Sequence, residues 1–595
     1  MNGSGDWVKE ISKVLYIDLS KKTFWSERRE DLFSKWLGGI GVAVQLYKEE
    51  TPREADPLGA ENAVVLAVGP LTAVFPMGSK VISVFKSPLT GTMAESHAGG
   101  RAPAAIRFAG LGAIVIKGAS ERPVYLVIDG EKVRFKDAGT LWGMRSAETV
   151  GRVLREAVPG AGLRTIMRIG RAGERLVRYA NVIIETYRHF GRMGLGAVFG
   201  SKKLKAVVII GRKSSKVPKI REYRQAYAEI LEVAKGPATK KYHDLGTAAN
   251  VLPLNKLGAL PTRNFSSGRF EGAENISGEK LLESLSRRLS CVGCPVACIH
   301  LAAIREQYED EKYFYKVENV PYDYELLYSL GSNLGVSDTV GMLKLIKVVE
   351  EEGLDAISAG VALAWATEAL EKGIVTKEHT LVELKWGDWR SYAQALKYIV
   401  EQPNDFYKAL AAGVKVAAAK YGGEDFAIEY NGLEPAGYHT GPLFHLSLAI
   451  GGRHSHLDAG AYGMDEGLAS AKAKPPEPEE AVKTIAAEES WRQVLNSLAV
   501  CLFGRKVYGP SLVVKALRSL GYETSEKELE ELGKKIYLER HLRKLEEGFR
   551  PEGVRVAKRV LETPTPLGNV SEEYIRRGIA AFEEMIERHR KLQAP

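Results

Sequence analysis

Four cysteines in 595 residues are too few for a disulfide framework. Long hydrophobic runs are missing too. The apolar stretch "AVVLAVGPLTAVF" is cut by Gly and Pro and falls short of the about 20 residues a membrane helix needs, so no membrane span is expected. The opening "MNGSGDWVKEISK" lacks the charged-then-apolar order of a signal peptide, and a cytoplasmic location is expected. No dinucleotide fingerprint occurs. "GLGAVFGSKK" at 194–203 has Gly-Ser-Lys where a phosphate loop has Gly-Lys-Ser/Thr. No repeat, low-complexity tail or nucleic-acid-reading motif is present. The net charge of +9 therefore reads as a basic soluble protein or as a field for an acidic partner, with nucleic acid the weakest reading. Heavy use of Glu, Lys and Arg with little Cys and Met is compatible with a thermophile.

What is present points to several domains, because a chain this long exceeds one core. Glycine is abundant, 60 of 595, which implies many tight turns or close backbone approaches. Up to about residue 213, short Val/Ile-rich runs alternate with turn signals: "KVLYIDLS", "AVVLAVGP", "KVISVFKSP", "GAIVIKGA", "VYLVIDGEKVRF" and "AVVIIGRK". From about 214 apolar residues recur at helix spacing, as in "GMLKLIKVVEEEGLDAISAGVALAWATEALEKG". The expected fold is α+β and multidomain: a β-rich N-terminal domain, 1–213, then two mainly α-helical domains, 214–424 and 425–595. "KAKPPEPEEAVK", 472–483, reads as an exposed loop. "SEKELEELGKKIYLERHLRKLEEG" opens with a capping box, Ser525 to Glu528, and its charge reads as a solvated helix face.

Three of the four cysteines sit in "SCVGCPVACIH": Cys291, Cys294 and Cys298, spaced C-x2-C-x3-C, with Cys501 far along the chain. Three uses compete. A disulfide is disfavoured by compartment. A Cys3His zinc site would recruit His300. An iron–sulfur cluster needs four thiolates, commonly three from one loop and one from elsewhere.

Together with "WLGGIGVAVQLYKEE", "KSPLTGTMAESHAGG", "GRMGLGAVFGSKKLKAVVI", "GTAANVLPLNKLGALPTRNF", "PYDYELLYSLGSNLGVSD" and "EEGLDAISAG", these cysteines resemble the tungsten-containing aldehyde:ferredoxin oxidoreductases, in order and over nearly the whole length. The resemblance implies a β-rich base for the cofactor with two helical domains closing over it. It implies tungsten, or molybdenum, held by two pterins, magnesium bridging the pterin phosphates, and a [4Fe-4S] cluster. The implied reaction is aldehyde plus water to carboxylic acid, with two electrons passing to ferredoxin or a polyferredoxin-like small subunit. A homodimer is one of the family's habits, and neither nucleic acid nor membrane is implied. Cys291, Cys294, Cys298 and Cys501 match the cluster ligands. Arg192 matches a pterin-phosphate arginine, Met193 a carbonyl that meets magnesium, Gly99 a cofactor-contacting glycine, Asp355 a pterin acid and Glu325 an active-site glutamate.

Other positions depart from the family. Lys80 stands where an Arg often links cluster and pterin, and Lys lacks the bidentate fork. His97 replaces an Asn, Glu350 and Asn496 replace two pterin-binding acids, and His439 lies where the family has "DPRG". In the expected chemistry the metal activates an oxygen nucleophile and a nearby base takes a proton. Glu325 leads as that base. His454 and His456 in "GGRHSHLDAG" both match a family histidine, with His454 slightly favoured. Alternatives are a family member with another redox task, such as an aromatic thioester reductase subunit, and an electron-transfer scaffold that keeps only the cluster.

Overall fold

The structure is a computed structural model describing residues 2–3, 5–185, 187–307 and 314–593. The N-terminal part holds two six-stranded sheets. The first runs, edge to edge, Thr23–Arg28, Lys13–Asp18, Ala113–Lys117, Val64–Ala67, Val81–Lys86 and Met93–Ala98. Among the described residues its one parallel pair is Lys13–Asp18 with Ala113–Lys117. The second runs Arg188–Phe190, Val182–Ile184, Leu163–Arg168, Leu204–Gly211, Val124–Asp129 and Lys132–Asp137. Val64–Ala67, Val81–Lys86 and Leu204–Gly211 are buried throughout, so they read as continuous apolar runs rather than as alternation. Met93–Ala98 and Arg188–Phe190 carry polar side chains and give no such signal. Both turn out to line the cavity described below.

Beyond residue 214 helices dominate, and one apolar core extends from Ala172 to Ile586. The helical reading needs one addition. Leu285–Leu289, Ile299–Gln307 and Tyr315–Tyr322 form an antiparallel three-stranded sheet. The three clustered cysteines occupy the connection between its first two strands.

Three local readings change. The helix Glu526–Glu546 keeps its capping box, Ser525 Oγ accepting from the Glu528 N–H at 3.3 Å. Its charge forms a solvated face only in part: Glu526, Lys527, Glu530, Glu531, Lys534 and Glu546 are exposed, but Arg540, His541, Arg543 and Lys544 are buried. Carboxylates and carbonyls elsewhere satisfy three of them. Arg540 Nε lies 3.0 Å from Glu95 Oε2 on the strand Met93–Ala98, and Lys544 Nζ donates to Gly452 O at 3.0 Å. Arg543 donates to Thr51 O at 2.6 Å. In 472–483 the helix Pro478–Ser497 starts inside the stretch read as loop, with proline at the first turn, where its missing N–H is harmless. Lys202 of "GSKK" is buried and donates to the carbonyls of Gly59, Ala60 and Gly118, so it braces loops rather than a phosphate.

Candidate active site

A cavity of about 330 Å³ lies where the two N-terminal sheets meet the three-stranded sheet and the helices. All four cysteines line it, with Lys80, His97, Gly99, Arg192, Met193, Glu325, Glu350, Asp355 and His456. His454 and Asn496 are not among its walls.

At one end the backbone draws two distant cysteine segments together through Met77. Its N–H donates to Gly293 O at 3.3 Å, and its carbonyl accepts from the Cys501 N–H at 3.0 Å. The Val292 N–H reaches Gly100 O at 3.0 Å. Gly99 is required by space: a Cβ there would sit 2.6 Å from Cys291 Sγ. Cys291 is buried, which by itself raises a thiol, yet the charges of Arg188 and Lys80 hold it below the ordinary range. Burial, then the neighbouring thiolates, push Cys294 up. All four thiols are free. Among the described residues no three His, Cys, Asp or Glu side chains converge on a single ion. The His300 ring is also turned away, with Nδ1 3.2 Å from Cys298 O and Nε2 3.1 Å from His243 O. Four thiols around one space, none joined by that imidazole, fit a multi-iron cluster better than a Cys3His zinc ion.

Along the middle, Arg192 Nε donates to Asp355 Oδ2 at 2.9 Å and its Nη2 to Glu434 O at 2.5 Å. Its Nη1 is buried without a partner. Asp355 also caps the helix Ala356–Glu371 through the Ile357 N–H. Met193 O accepts from Ser87 Oγ at 2.8 Å. Glu350 lies 2.9 Å from His189 Nε2. His97 is 3.2 Å from Glu95, and burial, with Arg453 nearby, lowers it to about 4, so its ring is neutral. Asn496 lies outside the walls, its carbonyl close against Gly39, but both atoms of its side-chain amide are buried and unpaired. The unpaired Arg192 Nη1 on the cavity wall suits a pterin phosphate, whereas Asn496, expected to bind the cofactor, does not line the cavity. His439 is elsewhere. It donates to Thr563 O at 2.8 Å and meets His445 at 2.9 Å, so it belongs to the helical core.

The cavity is also lined by a pair of neighbouring carboxylates, Asp323 and Glu325. Asp323 caps the helix Tyr324–Leu330, accepting from the Leu326 N–H, and Glu325 follows in its first turn. Glu325 Oε1 accepts from Tyr438 Oη at 2.9 Å and lies 3.2 Å from His456 Nε2. Burial would raise Glu325, but the His456 and Tyr438 contacts outweigh it and keep the carboxylate ionised. Burial and the Glu325 charge push Asp323 up to about 7. His454, two residues from His456, points away. Its Nδ1 is 2.9 Å from Leu448 O, and its Nε2 is 2.9 Å from Lys544 Nζ and 3.1 Å from Asn431. Burial and that ammonium lower it to about 3.

The family profile described as "Aldehyde ferredoxin oxidoreductase, N-terminal domain" matches residues 14–211, and that of the family's domains 2 and 3 matches 225–593. The chain belongs to the aldehyde ferredoxin oxidoreductase family. It is 32% identical to the tungsten-containing aldehyde ferredoxin oxidoreductase of Thermococcus kodakarensis, over 99% of this chain and 96% of that one. It is also 32% identical to the aliphatic sulfonate oxidoreductase WOR-like subunit of Pyrococcus furiosus, over 69% and 67% of the two chains. Among solved structures, the active-site complex BamBC of benzoyl coenzyme A reductase superposes with a TM-score of 0.81, at 21% identity, over 97% of this chain and 94% of that one. That likeness carries the fold: sheets first, helical domains after. The family is one of tungsten oxidoreductases, and some relatives work as subunits of larger complexes. No helix among the described residues is long and apolar enough to cross a membrane.

Sequence reasoning missed Arg188, His189, Asp323 and Tyr438. Each had a local sign. Arg188 and His189 precede Arg192 in "YRHFGRMG", Asp323 is the cap two residues before Glu325, and Tyr438 adjoins His439. What could not be seen was which of these side chains the fold turns inward.

Proposed function

We propose that this chain is a tungstopterin oxidoreductase that oxidises an aldehyde with water to a carboxylic acid. Two electrons then leave through a [4Fe-4S] cluster to ferredoxin or a ferredoxin-like subunit. The observation that carries this reading is that one cavity is lined by four thiols together with Glu325 and His456, Tyr438 donating to Glu325 from behind.

Cys291, Cys294, Cys298 and Cys501 would hold the cluster. Arg192, Asp355, Glu350, Lys80, His97 and Gly99 would face the pterins, and the Met193 carbonyl a magnesium ion. When bound, the metal supplies the two-electron acceptor and activates the oxygen that adds to the aldehyde carbon. Glu325 is ionised and receives the proton released as oxygen adds. Its Tyr438 and His456 contacts hold the carboxylate in one orientation. Asp323, protonated below about 7, limits the pair to one negative charge there. His456 is in reach of Glu325 to share that proton, whereas His454 is held by Lys544. In this reading residues 1–213 form the cofactor base, 214–424 carry the three-cysteine loop, and 425–595 carry Cys501. The protein works in the cytoplasm, alone, as a homodimer or with an iron–sulfur subunit.

The test is elemental analysis of anaerobically purified protein followed by an aldehyde panel. Roughly four iron and one tungsten (or molybdenum) per chain, with aldehyde-dependent dye reduction, is the expected result. Zinc without iron, or iron and tungsten with no aldehyde turned over, overturns it. High salt should slow reduction of ferredoxin but not of a small neutral dye, given the net charge of +9.

A further inference from the structure

The edge strand Arg188–Phe190 brings a guanidinium to the thiol end of the cavity, and no step above uses it. Arg188 Nη2 stands 3.5 Å from Cys298 Sγ, and its Nε is buried without a partner. Among the described residues it has no ion pair. After burial, the charges that bear most on it are those of Cys298 and Cys291, then Asp323 and Cys501. Other arginines around the cavity and the domain contacts are paired. Arg171 reaches Glu352, Arg192 reaches Asp355, and Arg453 and Arg540 share Glu95. Arg188 is half-buried on the cavity wall with its Nε fully buried, and a cation held so without a carboxylate partner is unfavourable unless an anion sits beside it. Lys80, on the same wall, also has no ion pair among the described residues and also bears on Cys291 and Cys298.

We propose that Arg188 is a positioning residue that donates a hydrogen bond to the Cys298 thiolate of the bound cluster and, with Lys80, sets the cluster's reduction potential. The inference rests on the cluster reading above. An oxidised cubane with four thiolates is a dianion, and one added electron makes it a trianion. Fixed cations and N–H···S bonds stabilise the more negative form more, so they raise the potential. Lys80 supplies charge without the guanidinium fork, and Arg188 supplies that fork from the edge strand Arg188–Phe190.

The experiment is an EPR-monitored redox titration of anaerobically purified holoenzyme, with iron counted on the same samples. R188Q should make the cluster about tenfold harder to reduce, a midpoint about 59 mV lower for one electron. R188K, which keeps charge but loses the fork, should shift it less in the same direction. An unchanged midpoint in R188Q with iron retained overturns the proposal. If R188Q does not fold or loses iron, the wild type decides: with 15N-labelled arginine, the reduced cluster should show nitrogen coupling by electron spin echo, and no coupling overturns the proposal. A wild type without any iron–sulfur signal fails the cluster reading itself, and Arg188 falls with it.

Discussion

The thiols and the acid pair of the cavity treat charge in opposite ways. Among the described residues Arg188 and Lys80 have no carboxylate ion-pair partner, and the charges of Cys298 and Cys291 bear on Arg188 ahead of that of Asp323. The charge of Glu325 raises Asp323, while His456 and Tyr438 keep Glu325 ionised, and among the described residues no arginine or lysine forms an ion pair with either carboxylate. A fixed positive field suits a resident anionic group, whereas a coupled acid pair suits protons that come and go. On the proposed function, the thiols serve the electrons and the acid pair serves the protons.

Removing a thiol is the strongest way to break this comparison. Cys298→Ser should abolish the cluster, giving iron well below the wild-type count and no detectable ferredoxin reduction. Full iron and activity in that variant would refute the thiol end. Next in size is Glu325→Gln, expected to lower kcat/KM by roughly 10²–10⁴-fold while leaving the iron count and cluster EPR unchanged. Loss of the EPR signal in that variant would mean that the thiols and the acid pair are not separate.

The third prediction concerns what joins the parts around the cavity. Glu95 lies 3.4 Å from Arg453 and 3.0 Å from Arg540, all three buried, and so joins the first sheet to the C-terminal helices. Glu95→Leu should destabilise the protein by about 3–5 kcal/mol, because two buried cations lose a partner. The readout is the unfolding temperature, and a change within error would count against the network. Fourth, the histidines two residues apart should separate. His456→Gln should lower kcat/KM at least about tenfold more than His454→Gln, whose main effect is on stability through the lost Lys544 contact. The smallest effect sharpens the acid pair. A carboxyl raised to about 7 carries its proton below that pH and releases it above. Difference infrared spectra of wild type against Asp323→Asn should therefore show a protonated carboxyl band that fades as pH rises through about 7. A band absent already at pH 5 would show that Asp323 is an ordinary ionised cap.

Much of this was legible in the chain. The Val/Ile runs in the first 213 residues became strands, because a buried strand needs nothing beyond a short apolar run and turn residues at its ends. The C-x2-C-x3-C spacing brings three thiols to one loop by covalent geometry alone, and the family motifs identified the fold. Elements whose function is polar were harder. Met93–Ala98 and Arg188–Phe190 carry Glu95, His97, Arg188 and His189, and such side chains hide a strand from any hydrophobic pattern.

The amino-acid sequence by itself determined the elements, the three-cysteine loop and the family, since these depend on local spacing and composition. Only the tertiary structure decided that Cys501 joins the other three through Met77, that His456 and not His454 faces Glu325, and that Arg188 meets a thiol instead of a carboxylate. It also buried Arg540, His541, Arg543 and Lys544 of the helix Glu526–Glu546, whose charges in sequence all look like a wet surface. The reason is that a side chain's charge and hydrogen bonds are set by neighbours hundreds of residues away, and packing, not spacing, chooses those neighbours.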